Sequence, residues 1–417
     1  MPASFDHNDE GEILLHIGPH KTGTTGLQQA ALRAQVALQR LGRIYLHDEG
    51  REQLNTSSIE FLRLSGERHV EGLTRPLQGS QLSRIIRSAP RGKLVLSSEH
   101  FCRYQEFHIK DLHALLQEIR PGQKIKVLVT LRPIAKTIPG QWQQFVRAQI
   151  MPPFEEWVAL VLSEQQPDAY RRAFRQSHSH DQLVNRWAEQ FGSENVSVIV
   201  ADDQHPEFLF RSFEEIIGVP QESLVMRRVA NESLTLQEAE VVRAAHDAMH
   251  RAGMFGMNQP LRGTDNGTDP SRLLFEDERM KRGWPHERIS KALLTNRSYR
   301  EGTKVALHGE AQRKVAAWSR AIVDGIKSSG VHVMGDLELL VSAPEAADAQ
   351  RSDASAVMVT PRLAGELVVS ALQAVGVGDQ NVEARVLRKI PTSKLIRHLL
   401  KRALPKWLRI RVADRPR

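Results

Sequence analysis

Short continuous apolar runs alternate with segments of helical periodicity along the chain. Residues 12–17 (EILLHI) lead into a glycine-bearing turn, and 25–41 then place Leu27, Ala31, Leu32 and Leu38 on one side of a predicted helix. Further β-rich runs stand at 93–97 (KLVLS), 125–131 (IKVLVTL) and 196–201 (VSVIVA), separated by stretches of helical spacing. Strands without polar alternation are buried on both faces, so the pattern predicts an α/β fold with a central parallel sheet covered by helices. Amphipathic helices at 182–191 and 207–217 bracket the fourth run, and 236–253 and 310–328 give a mainly helical C-terminal half. A Gly/Asp/Thr-rich loop is expected at 261–269.

Residues 342–355 (SAPEAADAQRSDAS) have the composition of a linker, which bounds a main domain at 10–341, followed by a short helical segment at 356–384 and a tail at 385–417. The formal charge of +8 belongs to that tail. It holds twelve of the 57 Lys and Arg and one of the 49 acidic residues, leaving the rest at −3. A near-neutral body argues against nucleic acid as a partner, which would need a basic stripe on the folded surface. Within the tail, Leu395, Leu399, Leu400, Leu404, Trp407 and Leu408 recur at helical spacing among Lys and Arg, giving a basic amphipathic helix bent at Pro405. Two readings stand: the stripe lies on an anionic membrane surface, or it packs on the chain's own domain or a second subunit.

The single cysteine, Cys102, excludes an intramolecular disulfide framework and a cysteine zinc cluster and fits a reducing compartment. The polar, acidic start lacks the features of a secretory signal, and no apolar run approaches the roughly 20 residues that span a bilayer. The expectation is a cytoplasmic protein, with peripheral attachment to the inner membrane surface under the first reading of the tail.

Candidate chemistry concentrates in Gly18-Pro19-His20-Lys21-Thr22-Gly23-Thr24-Thr25, between the first strand and the first helix. Such a turn aims backbone N–H groups and a helix N-terminus at a phosphate. A nucleotide triphosphatase would carry lysine at 24, yet 24 is Thr and Lys21 lies inside the loop. The bland reading is an ordinary strand-to-helix turn with a solvated lysine, and His20 reads as a loop-shaping residue.

Strand, KTGTT with an interior lysine, and helix resemble the 5′-phosphosulfate loop of the PAPS-dependent sulfotransferases, and HIGPHKTGTT is close to the bacterial carbohydrate-type form. The likeness spans about 12–220 by motif order and implies a P-loop NTPase-like three-layer fold. It also implies PAPS as co-substrate without a metal, and a hydroxyl of a carbohydrate, glycolipid or lipid-linked molecule as acceptor. By the same resemblance, Lys21 supports the leaving phosphate, while Gly18, His20, Thr22, Gly23, Thr24 and Thr25 bound the 5′-phosphate site. Arg132, after the run 125–131, answers to the residue that takes the donor's 3′-phosphate. The family's serine eight positions on is here Gly140, with Thr137, Gln141 and Gln144 as candidate replacements. Lys281-Arg282-Gly283 reads better as a solvated basic loop than as the family's basic-Gly triplet.

Glu99 and His100 follow the run 93–97, and ligands of parallel sheets lie at the carboxyl ends of strands. An acceptor hydroxyl needs a general base, for which Glu99 is the first choice and His100 the second; alternatively Glu99 pairs with a nearby base such as Lys21 or Arg132. Asp181 is expected to cap the following helix, with His178 and His180 just before it, and Trp142 and Trp187 to pack in the core. Two other classes remain: a non-catalytic PAP-binding or membrane-docking protein, and a P-loop small-molecule kinase, which would need the missing Walker lysine.

Overall fold

The computed structural model describes residues 11–19, 21–49, 54–70, 76–148, 151–163, 169–226, 233–251, 302–341, 363–365 and 368. The chain divides into two compact units. One comprises Met1–Thr137, Arg172–Ala230 and Gln312–Pro344; the other comprises Ile138–Arg171, Asn231–Ala311 and Glu345–Arg417.

The first unit is built on six parallel strands: β1 (Glu12–Ile17), β2 (Arg43–Leu46), β3 (Lys93–Ser98), β4 (Lys124–Leu131), β5 (Val196–Val200) and β6 (His332–Met334), in the order β2-β3-β1-β4-β5-β6. From β1 the chain crosses to β2 at one edge, returns to β3 beside β1, then passes to β4 on the other side of β1 and on to β5 and β6. The connections leaving β1 and β4 therefore run in opposite directions, and the carboxyl ends of such a strand pair are where open parallel sheets bind ligands.

Helices cover the sheet on both faces. Register places Leu14, Val95, Leu128 and Ile199 on one face, where they form a core with Leu27, Ala30 and Ala31 of α1 (Thr24–Arg33), Leu38 of α2 (Gln35–Arg40), and Leu209, Phe210 and Phe213 of α10 (Glu207–Ile217). On the other side lie α3 (Asn55–Val70), α4 (Gln81–Ser88), α5 (Glu106–Ile119) and α9 (His180–Phe191), with Leu112, Leu116, Leu183 and Trp187 fully buried. Each such Leu contributes about 1.5–3 kcal/mol by leaving water. In the sequence, α8 (Ala169–His178) precedes α9, and α12 (Gly309–Ser328) precedes β6.

Polar side chains stitch the elements where backbone groups would otherwise stay unpaired. Asp48 accepts from the Thr56 and Ser57 N–H groups at the start of α3. Arg43 of β2 donates to the carbonyls of Ile217 and Gly218 at the end of α10 (2.7 and 2.9 Å).

The expected helix at 25–41 is two helices, because the chain turns at Ala34, whose backbone (ψ 1°) leaves the helical range although its N–H still bonds to Ala30. The helix expected to be capped by Asp181 starts two residues earlier, with Ser179 in the cap position and no side-chain cap bond; Asp181 lies in its first turn. Trp142 and Trp187 are fully buried, as expected of core residues.

In the second unit, Trp142 of α6 (Ile134–Ala148) donates to the Pro152 carbonyl (3.1 Å) and meets Phe154 of α7 (Phe154–Val161) edge-on. The helix α11 (Leu236–Arg251) opens with a reciprocal cap: the Thr235 N–H bonds to Glu238 (2.7 Å) and the Glu238 N–H to Thr235. The loop at 261–269, Lys281-Arg282-Gly283, the linker 342–355, most of 356–384 and the tail lie outside the described residues. Among the described residues no helix is long and apolar enough to cross a membrane.

Candidate functional site

Where β1 ends, the chain must turn at once into α1, and two features of the loop make this possible. Gly18 has no room for a side chain, since a Cβ there would sit 2.1 Å from Thr24 Oγ1 and 2.7 Å from Thr130 Oγ1. Gly23 occupies the cap position of α1 at φ 93°, a left-handed conformation natural to glycine. Lys21 also adopts a left-handed backbone, at φ 70°, which costs a non-glycine residue about 1 kcal/mol.

The loop sorts its side chains by direction. Lys21 and Thr25 are exposed, whereas Thr22 and Thr24 are buried. The Thr22 hydroxyl donates to the Pro19 carbonyl (2.8 Å) and lies 3.2 Å from Thr24 Oγ1 and 3.3 Å from Thr130 Oγ1. The resemblance gives all three threonines to a 5′-phosphate; the structure turns two of their hydroxyls inward as supports. For an anion the loop then offers the Lys21 ammonium, the Thr25 hydroxyl, and the Thr24 and Thr25 N–H groups that open α1, those of Gly26 and Leu27 being bonded to the Gly23 carbonyl. No side chain caps that helix.

Beneath the loop runs a buried polar chain on the α1 and α10 face of the sheet. Gln28 Nε2 donates to Ser97 Oγ (3.0 Å), Ser97 lies 2.8 Å from His16 Nδ1, and His16 Nε2 lies 3.4 Å from Thr130 Oγ1. With Ser97 accepting from Gln28 and Thr22 donating to Pro19, one direction satisfies every member. Ser97 donates to Nδ1, His16 is the Nε2–H tautomer, and Thr130 donates to Thr22. Burial holds the His16 ring neutral, its pKa pushed down to about 3. The strands place these groups: Leu14, Val95 and Leu128 fill the amino-terminal part of this face, and His16, Ser97 and Thr130 follow them at the carboxyl end.

Arg132 leaves β4 beside β5, where Ala201 N–H bonds to the Leu131 carbonyl (2.8 Å). Its Nη1 donates to the Lys21 carbonyl (3.4 Å) and its Nη2 to Asp203 Oδ1, while Lys136 in the first turn of α6 donates to Asp203 Oδ2 (2.7 Å). Burial raises the Asp203 pKa, but the Lys136 bond and the Arg132 charge outweigh it and hold the carboxylate below its ordinary range.

Glu99 leaves β3 one residue past the Ile17–Ser98 pair, level with Gly18 on the neighbouring strand, and is half-buried. His100 is 2% exposed, which sets it back from an external acceptor. Its N–H bonds to Ser98 Oγ (3.2 Å), the cap of the turn Glu99–Arg103. Cys102 is fully buried and its thiol is pushed up to about 12, chiefly by burial, so it is no nucleophile.

Gly18, Lys21–Thr25, Glu99 and Arg132 are thus carried on the carboxyl ends of three adjacent strands, β3, β1 and β4. Gly140 lies inside α6 after Pro139, on the portion belonging to the second unit, and His20 is outside the described residues. The sequence reading missed His16, Gln28, Thr130, Lys136 and Asp203. A signal existed for two of them: His16 and Thr130 are each a polar residue set within the apolar run near the carboxyl end of a strand. Among the described residues no group of His, Cys, Asp and Glu is arranged to hold a metal ion.

No protein-family model matches the chain, and no curated protein does. Among solved structures, the chain is similar to a sulfotransferase from Alicyclobacillus acidocaldarius, at 15% identity over 58% of this chain and 94% of that chain, with a TM-score of 0.35.

Proposed function

We propose that this chain transfers a sulfuryl group from PAPS to a hydroxyl of a carbohydrate or glycolipid. The observation that carries the reading is Lys21: an exposed lysine, held left-handed inside the β1–α1 loop, beside an uncapped helix start and with Thr at the Walker position. A triphosphatase lysine projects from the first turn of the helix; this one stands before it.

In the proposed reaction the acceptor oxygen attacks the donor sulfur in line with the bridging S–O bond. The acceptor O–H proton passes to the Glu99 carboxylate, a new S–O bond forms, and the bridging bond breaks to leave PAP. Charge grows on the bridging oxygen, where the Lys21 ammonium neutralises it, while the first-turn N–H groups hold the 5′-phosphate. Arg132 takes the 3′-phosphate, its planar fork suiting two phosphate oxygens. The basic amphipathic sequence of 385–417 supports an acceptor at an anionic membrane surface, a point checked by liposome pelleting with and without those residues.

The reading is tested by thermal shift with PAP, PAPS and Mg-ATP, followed by transfer of labelled sulfate to sugar and lipid extracts. Stabilisation by PAP and PAPS with labelled product is the expected result. Stabilisation by Mg-ATP alone would return the chain to the kinases.

A further inference from the structure

The 3′-phosphate side of the site has one feature that neither the resemblance nor the loop accounts for. Asp203 is gripped by two cations at once, Arg132 on Oδ1 and Lys136 on Oδ2. The three groups come from separate elements: the residue after β4, the first turn of α6, and the loop after β5. About a third of each side chain remains exposed (34%, 31% and 35%), so the cluster is open to an incoming solute. A carboxylate spanning two cations through its two oxygens presents them with what a phosphate's oxygens would present.

We infer that Arg132 and Lys136 together form the clamp for the donor's 3′-phosphate, and that Asp203 occupies this clamp until the nucleotide displaces it. This rests on the sulfotransferase reading and names a residue that reading lacks. Gly140 brings no hydroxyl where the resemblance calls for serine, and Lys136, one helical turn beyond Arg132, supplies a second charged donor. Arg132 has donors to spare: its Nε is buried without a hydrogen-bond partner among the described residues, and its Nη1 already reaches the Lys21 carbonyl, which ties the clamp to the 5′ loop.

The charges decide the direction of the Asp203 effect. Two cations and one carboxylate leave the clamp at +1, against a phosphate monoester that carries close to two negative charges. Neutralising Asp203 raises the clamp to +2 and removes the group that competes for the same donors.

The experiment compares the full chain with its Lys136→Ala and Asp203→Asn variants in calorimetric titrations with PAP and with AMP, which lacks the 3′-phosphate. Lys136→Ala should weaken PAP about tenfold, the worth of one charge-assisted contact, and leave AMP unchanged. Asp203→Asn should tighten PAP several-fold with AMP again unchanged. Circular dichroism checks folding, and Lys136→Gln, which keeps the stem, replaces the alanine variant if that one unfolds. A Lys136 variant that keeps the wild-type preference for PAP over AMP, or weaker PAP binding by Asp203→Asn, overturns this inference alone. A wild-type chain that binds neither nucleotide overturns the sulfotransferase reading and the clamp with it.

Discussion

His16 Nδ1 lies 2.8 Å from the Ser97 hydroxyl across the β1–β3 pair, and this contact is the centre of the polar chain that underlies the loop. Without it, Gln28 on α1 would have no route through the sheet to Thr130 on β4. The loop is therefore braced from two strands, and its shape depends on a residue that never faces a ligand.

His16→Phe tests this bracing. Phenylalanine keeps the edge-on ring contact with Phe213, so the packing change is small, but Ser97 and Thr130 each lose a partner. Leaving two buried hydroxyls short should remove about 1–3 kcal/mol of stability, read as a lower urea midpoint. PAP binding should weaken with it, because Thr130 also steadies Thr22. An unchanged midpoint would mean that the chain of hydrogen bonds contributes nothing.

Acid should destabilise the protein before its carboxylates titrate. Burial pushes both His16 and His180 down to about 3, with the His178 charge adding to the effect at His180. The unfolded chain binds these protons near pH 6.5 and the folded chain does not. Their contribution is thus complete above about pH 6.5 and is lost as pH falls toward 3, by up to about 1.4 kcal/mol per pH unit for each histidine. Asp181, raised mainly by burial, acts with the opposite sign at lower pH. Urea midpoints at about pH 7.5, 6 and 5 should fall steadily, and His16→Gln should flatten the decline. A midpoint independent of pH over that range contradicts the buried, neutral state of both rings.

Much of the fold was legible because continuous apolar runs have few alternatives: β1, β3, β4 and β5 fall within one or two residues of their expected positions. β2 was not, since RIYL opens on an arginine whose task, binding the end of α10, is set by tertiary structure. β6 has only three residues and lies far along the chain from its neighbour β5. In the candidate site, motif order pointed to Lys21 and Arg132, which lie past the carboxyl ends of β1 and β4. Asp203 could not, because nothing in AlaAspAspGln marks which of two aspartates meets Arg132 and Lys136; that follows from the β4–β5 register. The inward turn of Thr22 and Thr24 was equally hidden, as a hydroxyl in a phosphate loop looks the same in sequence whether it faces ligand or core.

Gly18→Ala should damage binding without touching any group that contacts substrate. The new methyl meets two hydroxyl oxygens inside van der Waals distance, and neither can retreat without breaking the Thr22–Thr24–Thr130 cluster. The loop must move instead, with a stability loss of about 1–3 kcal/mol and a matching loss of PAP affinity. Wild-type affinity in this variant would show the loop to be more plastic than its packing suggests.

Glu99→Gln tests the proton transfer proposed for this carboxylate apart from binding. The amide preserves size and accepts no proton at neutral pH, so kcat should fall by about 10²–10⁴ while the PAP affinity stays unchanged. The acidic limb of the wild-type pH–rate profile should disappear in the same variant. A loss confined to acceptor KM would make Glu99 a binding residue and leave the base unassigned.

Lys21 combines the chemical role proposed for it with a strained backbone, and two substitutions separate them. Lys21→Ala removes the ammonium but keeps a Cβ at φ 70°, whereas Lys21→Gly removes the ammonium and relieves the strain. The glycine variant should therefore be the more stable of the two by up to about 1 kcal/mol. Both should lose about 10²–10³ in transfer rate, because the charge on the leaving phosphate is unsupported in either. PAP binding should persist in part, held by the first-turn N–H groups and Arg132, which do not depend on the lysine side chain. Single-turnover transfer and equilibrium binding measured side by side resolve the two effects. Full activity in either variant would remove Lys21 from the mechanism, and recovery in the glycine variant alone would make the strain, not the charge, the functional element.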